Sequence, residues 1–145
     1  MTHSTPSPSI AITDAQILAC FPVMFQLRPH LVEADFVERI RRQQKEGYVL
    51  AFLADNGHVK SVAGFRIQES LYSGRFLYVD DLATDQSARS QGYGTRLFQW
   101  LVKHARQNRC EALRLDSGVQ RFAAHRFYLA NRMEIACHHF SRKLK

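Results

Sequence analysis

The chain has 145 residues, 46% of them hydrophobic, with 20 Lys and Arg against 13 Asp and Glu for a net charge of +7. That is the size of one domain able to bury a core; no apolar run approaches a membrane span, and no secretory h-region opens the chain. Cys20, Cys110 and Cys137 are odd in number and far apart, which points to free thiols in a reducing cytoplasm, and the basic surface attracts polyanions without choosing among them.

Residues 1–9, with Pro6 and Pro8 among Ser and Thr, read as a loose tail, and residues 10–145 as a single domain. Thr13 or Asp14 can cap a first helix whose apolar side carries Ile17, Leu18, Phe21 and Met24. Pro22 lies inside that pattern and predicts a break or kink near Phe21. Arg28-Pro29-His30 is a turn, and a second helix follows from about Val32 to Lys45, with Val32, Phe36, Val37 and Ile40 inward. Its Arg39, Arg41, Arg42 and Lys45 form a charge cluster that reads as a solvated face, an RNA-facing patch being the minority reading. Gly47 ends the helix. Tyr48–Ala54 and Val59–Ile67 are strands joined by the tight turn Asp55-Asn56-Gly57, and Ser73-Gly74 turns the chain into a third antiparallel strand, Arg75–Thr84.

Next comes Arg89-Ser90-Gln91-Gly92-Tyr93-Gly94, opening a helix from Thr95 to Gln107 with Leu97, Phe98, Leu101, Val102 and Ala105 on one face. A helix N-terminus carries unpaired N–H groups and the positive end of the macrodipole, so it can bind phosphate. Gly92 and Gly94 let a pyrophosphate approach the main chain, and Arg89 and Arg96 add fixed positive charge; the bare pattern equally suits a helix start that needs flexible residues. It is neither a Walker loop nor a dinucleotide fingerprint. Asn108 can take the left-handed position after this helix, and Cys110–Leu115 is a strand running parallel to its predecessor through the helical crossover. Ser117 and Gln120 have capping-box spacing for a helix through about Ala130, Met133–Phe140 is a last strand, and Arg142–Lys145 a basic tail. The seven histidines show no metal-ligand spacing, and His138 and His139 point to opposite faces of the last strand.

Arg-x-x-Gly-x-Gly after a strand ending Asp80-Asp81-Leu82-Ala83-Thr84 resembles the acetyl-CoA motif of the GNAT acyltransferase superfamily, and Ala124-His125-Arg126-Phe127-Tyr128 resembles its second motif. The resemblance spans residues 10–140, and the element order matches as well. It implies an α/β GNAT fold: a mixed, mostly antiparallel sheet with helices on both faces. It also implies acetyl-CoA as co-substrate, no metal, and transfer of the acetyl group to a primary amine. Direct attack in a ternary complex is expected, since neither motif contains a cysteine. Main-chain contacts to the pantetheine arm fall at Leu82, Ala83 and Thr84, on a strand whose bulged backbone leaves groups for a ligand and an N–H to polarise the thioester carbonyl. The pyrophosphate falls on the amides of Arg89, Ser90, Gln91, Gly92, Tyr93, Gly94 and Thr95. Ser117, at the polar strand exit, is a weaker binding candidate.

The same resemblance makes Tyr128 the acid that protonates the departing thiolate, a phenol being a weaker acid than a typical thiol. Asp80 and Asp81 resemble the acidic pair of polyamine-type members. On a regular strand they face opposite sides, so Asp80, sharing a face with Tyr78 and Leu82, is taken as the base, and Asp81 orients the acceptor or pairs with an arginine. An ordinary salt-bridged pair is an equal alternative for the two acids. His125 neighbours Tyr128 on the helix as a packing or hydrogen-bonding partner, and Arg121 and Arg126 read as solvated. Where family members carry a glycine and an aromatic after the tyrosine, this chain has Arg132-Met133, with Asn131 available for the left-handed turn. The first helix and the Arg28-Pro29-His30 turn, with Phe25 and Leu27, form the expected acceptor wall. A small polyamine-like or amino-sugar amine is the first acceptor class and a protein lysine or N-terminus the second. A homodimer is possible. The competing readings are a basic nucleic-acid-binding protein and a CoA-binding GNAT module without catalysis.

Overall fold

Thr13 starts the first helix with a full capping box: its hydroxyl accepts the Gln16 N–H at 3.1 Å while the Gln16 side chain takes the Thr13 N–H at 3.0 Å. The structure, a computed structural model, describes residues 5–145. They form two compact units, one ending at Arg114 and one running from Leu115 to Lys145.

In the first unit a short strand β1 (Ser9–Ile10) precedes α1 (Asp14–Ala19), α2 (Phe21–Leu27) and α3 (Glu33–Gln44). Ser9, assigned by sequence to the loose tail, is paired with Phe52. The break required by Pro22 falls at Cys20, and the proline sits in the first turn of α2, where its missing N–H is no loss. Strands β2 (Val49–Asp55), β3 (His58–Ser70) and β4 (Gly74–Thr84) form successive antiparallel pairs; α4 (Tyr93–Gln107) and β5 (Ala112–Leu115) complete the sheet order β1-β2-β3-β4-β5. The helices divide between the faces by strand parity. Ile17, Met24 and Phe36 of α1–α3 pack with Tyr48, Leu50 and Val62, while Leu53, one residue out of phase, packs with Tyr93 of α4. Phe65, Trp100 and His104 form an aromatic group across the α4 contact.

The second unit holds α5 (Phe122–Ala130). Two expectations fail there. The Ser117 capping box does not form: Arg121 donates to the Gly118 carbonyl and Phe122 to that of Gln120, so a tight turn replaces the first helical turn and α5 begins at Phe122. Residues 133–140 form no strand, and Ile135 and Phe140 are exposed. Alternating apolar residues become a strand only where another strand supplies backbone partners, and this unit supplies none among its described residues.

Both long C-terminal caps repeat one device. After α4 the Arg109 N–H bonds the Arg106 carbonyl and the Cys110 N–H that of Ala105; after α5, Arg132 and Met133 bond Leu129 and Tyr128 in the same way. The left-handed residue is therefore not Asn108 or Asn131, as the sequence suggests, but the arginine after each, at φ 61° and 67°. Each asparagine side chain instead donates to a carbonyl of the last turn, that of His104 or Phe127, at 2.8 Å. Arg132 thus adopts the conformation for which family members use glycine. A non-glycine residue there costs about 1–2 kcal/mol, partly offset by glycine's greater unfolded-state freedom. Arg109→Gly is expected to raise stability by about 1 kcal/mol, read as a higher midpoint in thermal or urea unfolding.

Candidate active site

Between Phe65 and Gly64 the β3–β4 register slips by one residue: Phe65 pairs with Val79 but Gly64 with Asp81, which leaves Asp80 as an extra, bulged residue. The alternation expected from Tyr78 to Leu82 is therefore interrupted. Asp80 and Asp81 do not turn to opposite sides; both line one cavity of about 360 Å³ beneath α2 and α3.

Each carboxylate is held by an arginine. Asp81 is the more enclosed, accepting the Arg28 Nε at 3.0 Å on one oxygen and the Tyr48 hydroxyl at 2.8 Å on the other. Arg28 also donates to the Asp80 carbonyl at 3.0 Å. Burial, then the Asp81 charge and hydrogen bond, holds the Tyr48 phenol well above its ordinary value, so it stays a donor. Asp80 accepts the Arg66 Nε at 3.2 Å on Oδ2, while its Oδ1 takes no side-chain hydrogen bond among the described residues. Burial raises the Asp80 carboxyl above 3.8 despite the opposing pull of Arg66. Asp81 thus has both oxygens occupied, and Asp80 keeps one open to the cavity.

Of the expected acceptor wall, Met24, Arg28 and His30 line this cavity, and Phe25 and Leu27 do not. Phe25 is turned to solvent beside Phe21, and Leu27 packs against the α1–α3 core. Sequence reasoning missed Tyr48, Arg66 and Arg39. Arg39 belongs not to a solvated face but to the cavity, one helical step from buried Phe36 and Ile40. Its neighbour Arg41 is pinned to Asp14 and the Ile12 carbonyl, which leaves little of the supposed basic patch.

The glycine turn lies past the end of β4. Leu82, Ala83 and Thr84 pair with Ala63, Val62 and Ser61, and the Ser61 hydroxyl donates to the Ala83 carbonyl at 2.9 Å. β5 joins near the start of β4, where the Glu111 N–H meets the Arg75 carbonyl at 2.7 Å, and it is only four residues long. After a turn at Gln86–Ala88, Arg89 is extended, Ser90 is left-handed at φ 66° and Gly92, at φ 87°, is the N-cap of α4. No side chain caps α4, which leaves its first-turn amides without a side-chain partner, and a Cβ at Gly92 would meet nothing within 4 Å. Tyr93 is turned inward, its hydroxyl 2.7 Å from Asp55, and that bond raises its phenol. An open cleft of about 370 Å³ beside the turn includes Gln91 and Arg96. Arg89, Ser90 and Gln91 are exposed, while Gly94 and Thr95 lie in the first turn of α4. This is a fit for a pyrophosphate: free amides, a helix N-terminus and two arginines.

In the second unit, Tyr128 is half-buried on α5 with Phe127 packed edge-on to it. His125 bonds the Gly118 carbonyl at 2.8 Å, in keeping with a hydrogen-bonding role. The Ser117 hydroxyl is buried with no partner, as a group meant for a ligand would be. Burial pushes the Cys20 thiol up to about 12, which leaves it inert as a nucleophile.

Gly64 makes the carboxylate arrangement possible. A Cβ there would collide with the Tyr48 ring and hydroxyl. Gly64→Ala is expected to destabilise the fold by about 1–3 kcal/mol and to release the Tyr48–Asp81 bond. Urea unfolding and a lowered Tyr48 phenol pKa in a spectroscopic titration check the two effects.

The Acetyltransferase (GNAT) family model matches residues 15–132. Over 109 residues, 74% of this chain and 77% of the relative, the sequence is 35% identical to the uncharacterized N-acetyltransferase YhdJ of Bacillus subtilis (strain 168). The fold is similar to that of a transcriptional regulator from Bacillus halodurans C-125, with TM-score 0.84 and 16% identity over 97% of this chain and 100% of that one. It is also similar to AAC(6')-Iy in complex with the bisubstrate analog CoA-S-monomethyl-acetylneamine, with TM-score 0.80 and 15% identity over 97% of this chain and 99% of that one. With a family match across most of its length and a relative of this identity, the chain belongs to the GNAT acetyltransferase family.

Proposed function

We propose that the chain transfers the acetyl group of acetyl-CoA to a small primary amine by direct attack in a ternary complex. The Asp80 bulge is the observation that carries this reading, because it gives the acceptor cavity a carboxylate with one oxygen free. Acetyl-CoA supplies the activated acyl carbon as a thioester. The α4 amides from Arg89 to Thr95, with the Arg89 side chain, hold the pyrophosphate; the Leu82–Thr84 backbone receives the pantetheine arm, and Ser117 adds a hydroxyl. Asp80 Oδ1 takes a proton from the acceptor ammonium, leaving a lone pair to form the N–C bond as the C–S bond breaks. Tyr128 supplies the proton that ends on sulfur, and the second proton the nitrogen sheds as the amide forms returns the phenol to its neutral state. Asp81, fixed by Arg28 and Tyr48, orients the acceptor instead of deprotonating it. A small acceptor suits a cavity of about 360 Å³. Inert, free Cys20 supports direct attack and a reducing, cytoplasmic setting.

Thermal unfolding with acetyl-CoA at about 100 times its Kd should show roughly 2.7 kcal/mol of added stability, with little from ATP. Release of CoA thiol with an amine panel then measures turnover. Tyr128→Phe should keep the acetyl-CoA shift and lose about 100-fold in kcat. An unchanged rate removes Tyr128 as the acid, and a shift without turnover on any amine points to a module that binds CoA and does not catalyse.

Asp80 must be ionised to act, so kcat/KM should fall as pH drops through its raised pKa. Arg66 lowers that pKa, so Arg66→Gln should move the acidic limb to higher pH, and Asp80→Asn should abolish the limb together with most of the activity. An acidic limb unmoved by Arg66→Gln would assign it to another group.

A further inference from the structure

The cations around the acceptor cavity are not all paired. Arg28 is committed to Asp81, and Arg66 to Asp80 and, at 3.9 Å, to Glu46. Arg39 lines the same cavity, half-buried, and makes no hydrogen bond or ion pair among the described residues. The two neighbours one turn away on α3 do not neutralise it. Asp35 lies outside ion-pair range, and the Gln43 oxygen is occupied by the Arg66 Nη2 at 3.0 Å. His30 lines the cavity too and offers no negative charge. The cavity therefore holds one guanidinium, partly withdrawn from water, with no hydrogen-bonded or ion-paired partner among the described residues.

We infer that the acceptor is an amine that also carries an anionic group, a carboxylate or a phosphate, and that Arg39 binds this group while the amine faces Asp80. The inference rests on the acetyl-transfer reading and narrows its substrate. A guanidinium is a planar, permanently charged fork suited to either oxyanion. A polyamine is the wrong partner, since its second ammonium would meet Arg39. Arg39 is a specificity residue here and takes no part in moving the proton.

Binding of matched amine pairs to the full chain loaded with CoA tests this without requiring turnover. Calorimetry compares 6-aminohexanoate with hexylamine, 2-aminoethyl phosphate with ethylamine, and spermidine alone. The carboxylate or the phosphate member should bind at least tenfold more tightly than its neutral partner, and the arm that shows the effect identifies the oxyanion. Arg39→Gln should collapse the difference by weakening the anionic member, and Arg39→Lys should restore part of it. Equal binding within both pairs, a difference that survives Arg39→Gln, tightest binding of spermidine, or no binding by any member overturns the inference. The acetyl-CoA melting shift separates the two levels. If it is present while the pairs bind equally, only the anionic-acceptor inference fails; if it is absent, the acetyl-transfer reading fails and this one with it.

Discussion

A single residue too many between Val79 and Asp81 sets the geometry on which the acceptor side depends. In a regular ladder Asp80 and Asp81 would point to opposite faces, and one carboxylate would enter packing on the far side, an expensive place for an unpaired charge. The bulge returns both to one cavity. Opposite Asp81 the partner strand carries Gly64, whose missing side chain admits the Tyr48 ring and lets its hydroxyl reach the carboxylate. From the other side comes Arg28, the C-terminal cap of its helix. Pro29 disfavours helical geometry at the residue before it, and Arg28 accordingly leaves α2 at φ −125° and ψ 74° with its guanidinium on Asp81.

These pairs contribute little to stability, because their arginines keep partial contact with water. Their value is division of labour between two adjacent acids. Asp81 has a donor on each oxygen, one of them a phenol that burial keeps protonated, so it is a fixed acceptor. Asp80 has one oxygen engaged and one open, and burial outweighs Arg66 in setting its pKa. A carboxyl raised in this way is a stronger base than an ordinary surface aspartate and still ionises readily.

Much of the frame was legible because it follows from local chemistry. Pro22 could not continue a helix, Asp55-Asn56-Gly57 could hardly be anything but a turn, and the apolar face of α4 repeats at helical spacing. Those arguments need only a few neighbouring residues. The bulge needs two strands in register, and nothing in Val79-Asp80-Asp81-Leu82 announces which residue will be skipped. Arg39 was misread for a related reason: periodicity marks Phe36 and Ile40 as inward but cannot say which rim of the stripe another element will roof. Ser117 and Gln120 have the right spacing for a capping box, yet Gly118 between them allows the tight turn that forms. Residues 133–140 show the limit of alternation, a pattern that predicts a face and not a partner. The roles of Tyr128 and of the glycine turn came from family resemblance, because a lone tyrosine on a helix and a glycine pair before one carry no chemistry by themselves.

The last turn of α2 joins the two halves of the proposed site within the first unit. Arg28 fixes Asp81 in the acceptor cavity, and Gln26, two residues earlier, holds the loop that leads to α4. The Gln26 amide donates to Asp85 at 3.2 Å while its oxygen takes the Gln86 N–H at 2.9 Å, and the Asp85 N–H is anchored on the Lys60 carbonyl at 2.8 Å. Beyond the loop, buried Ala88 and the Tyr93–Asp55 bond secure the other end. Arg89 to Gly92 are therefore suspended between two fixed points, so a bound phosphate would not have to order a loose chain first. A short helix broken off from its predecessor by Pro22 and ended by Pro29 is stiff enough to set both attachments at once. Any substitution that rotates its last turn would disturb the proposed phosphate turn and the proposed acceptor carboxylates together, although neither lies on α2.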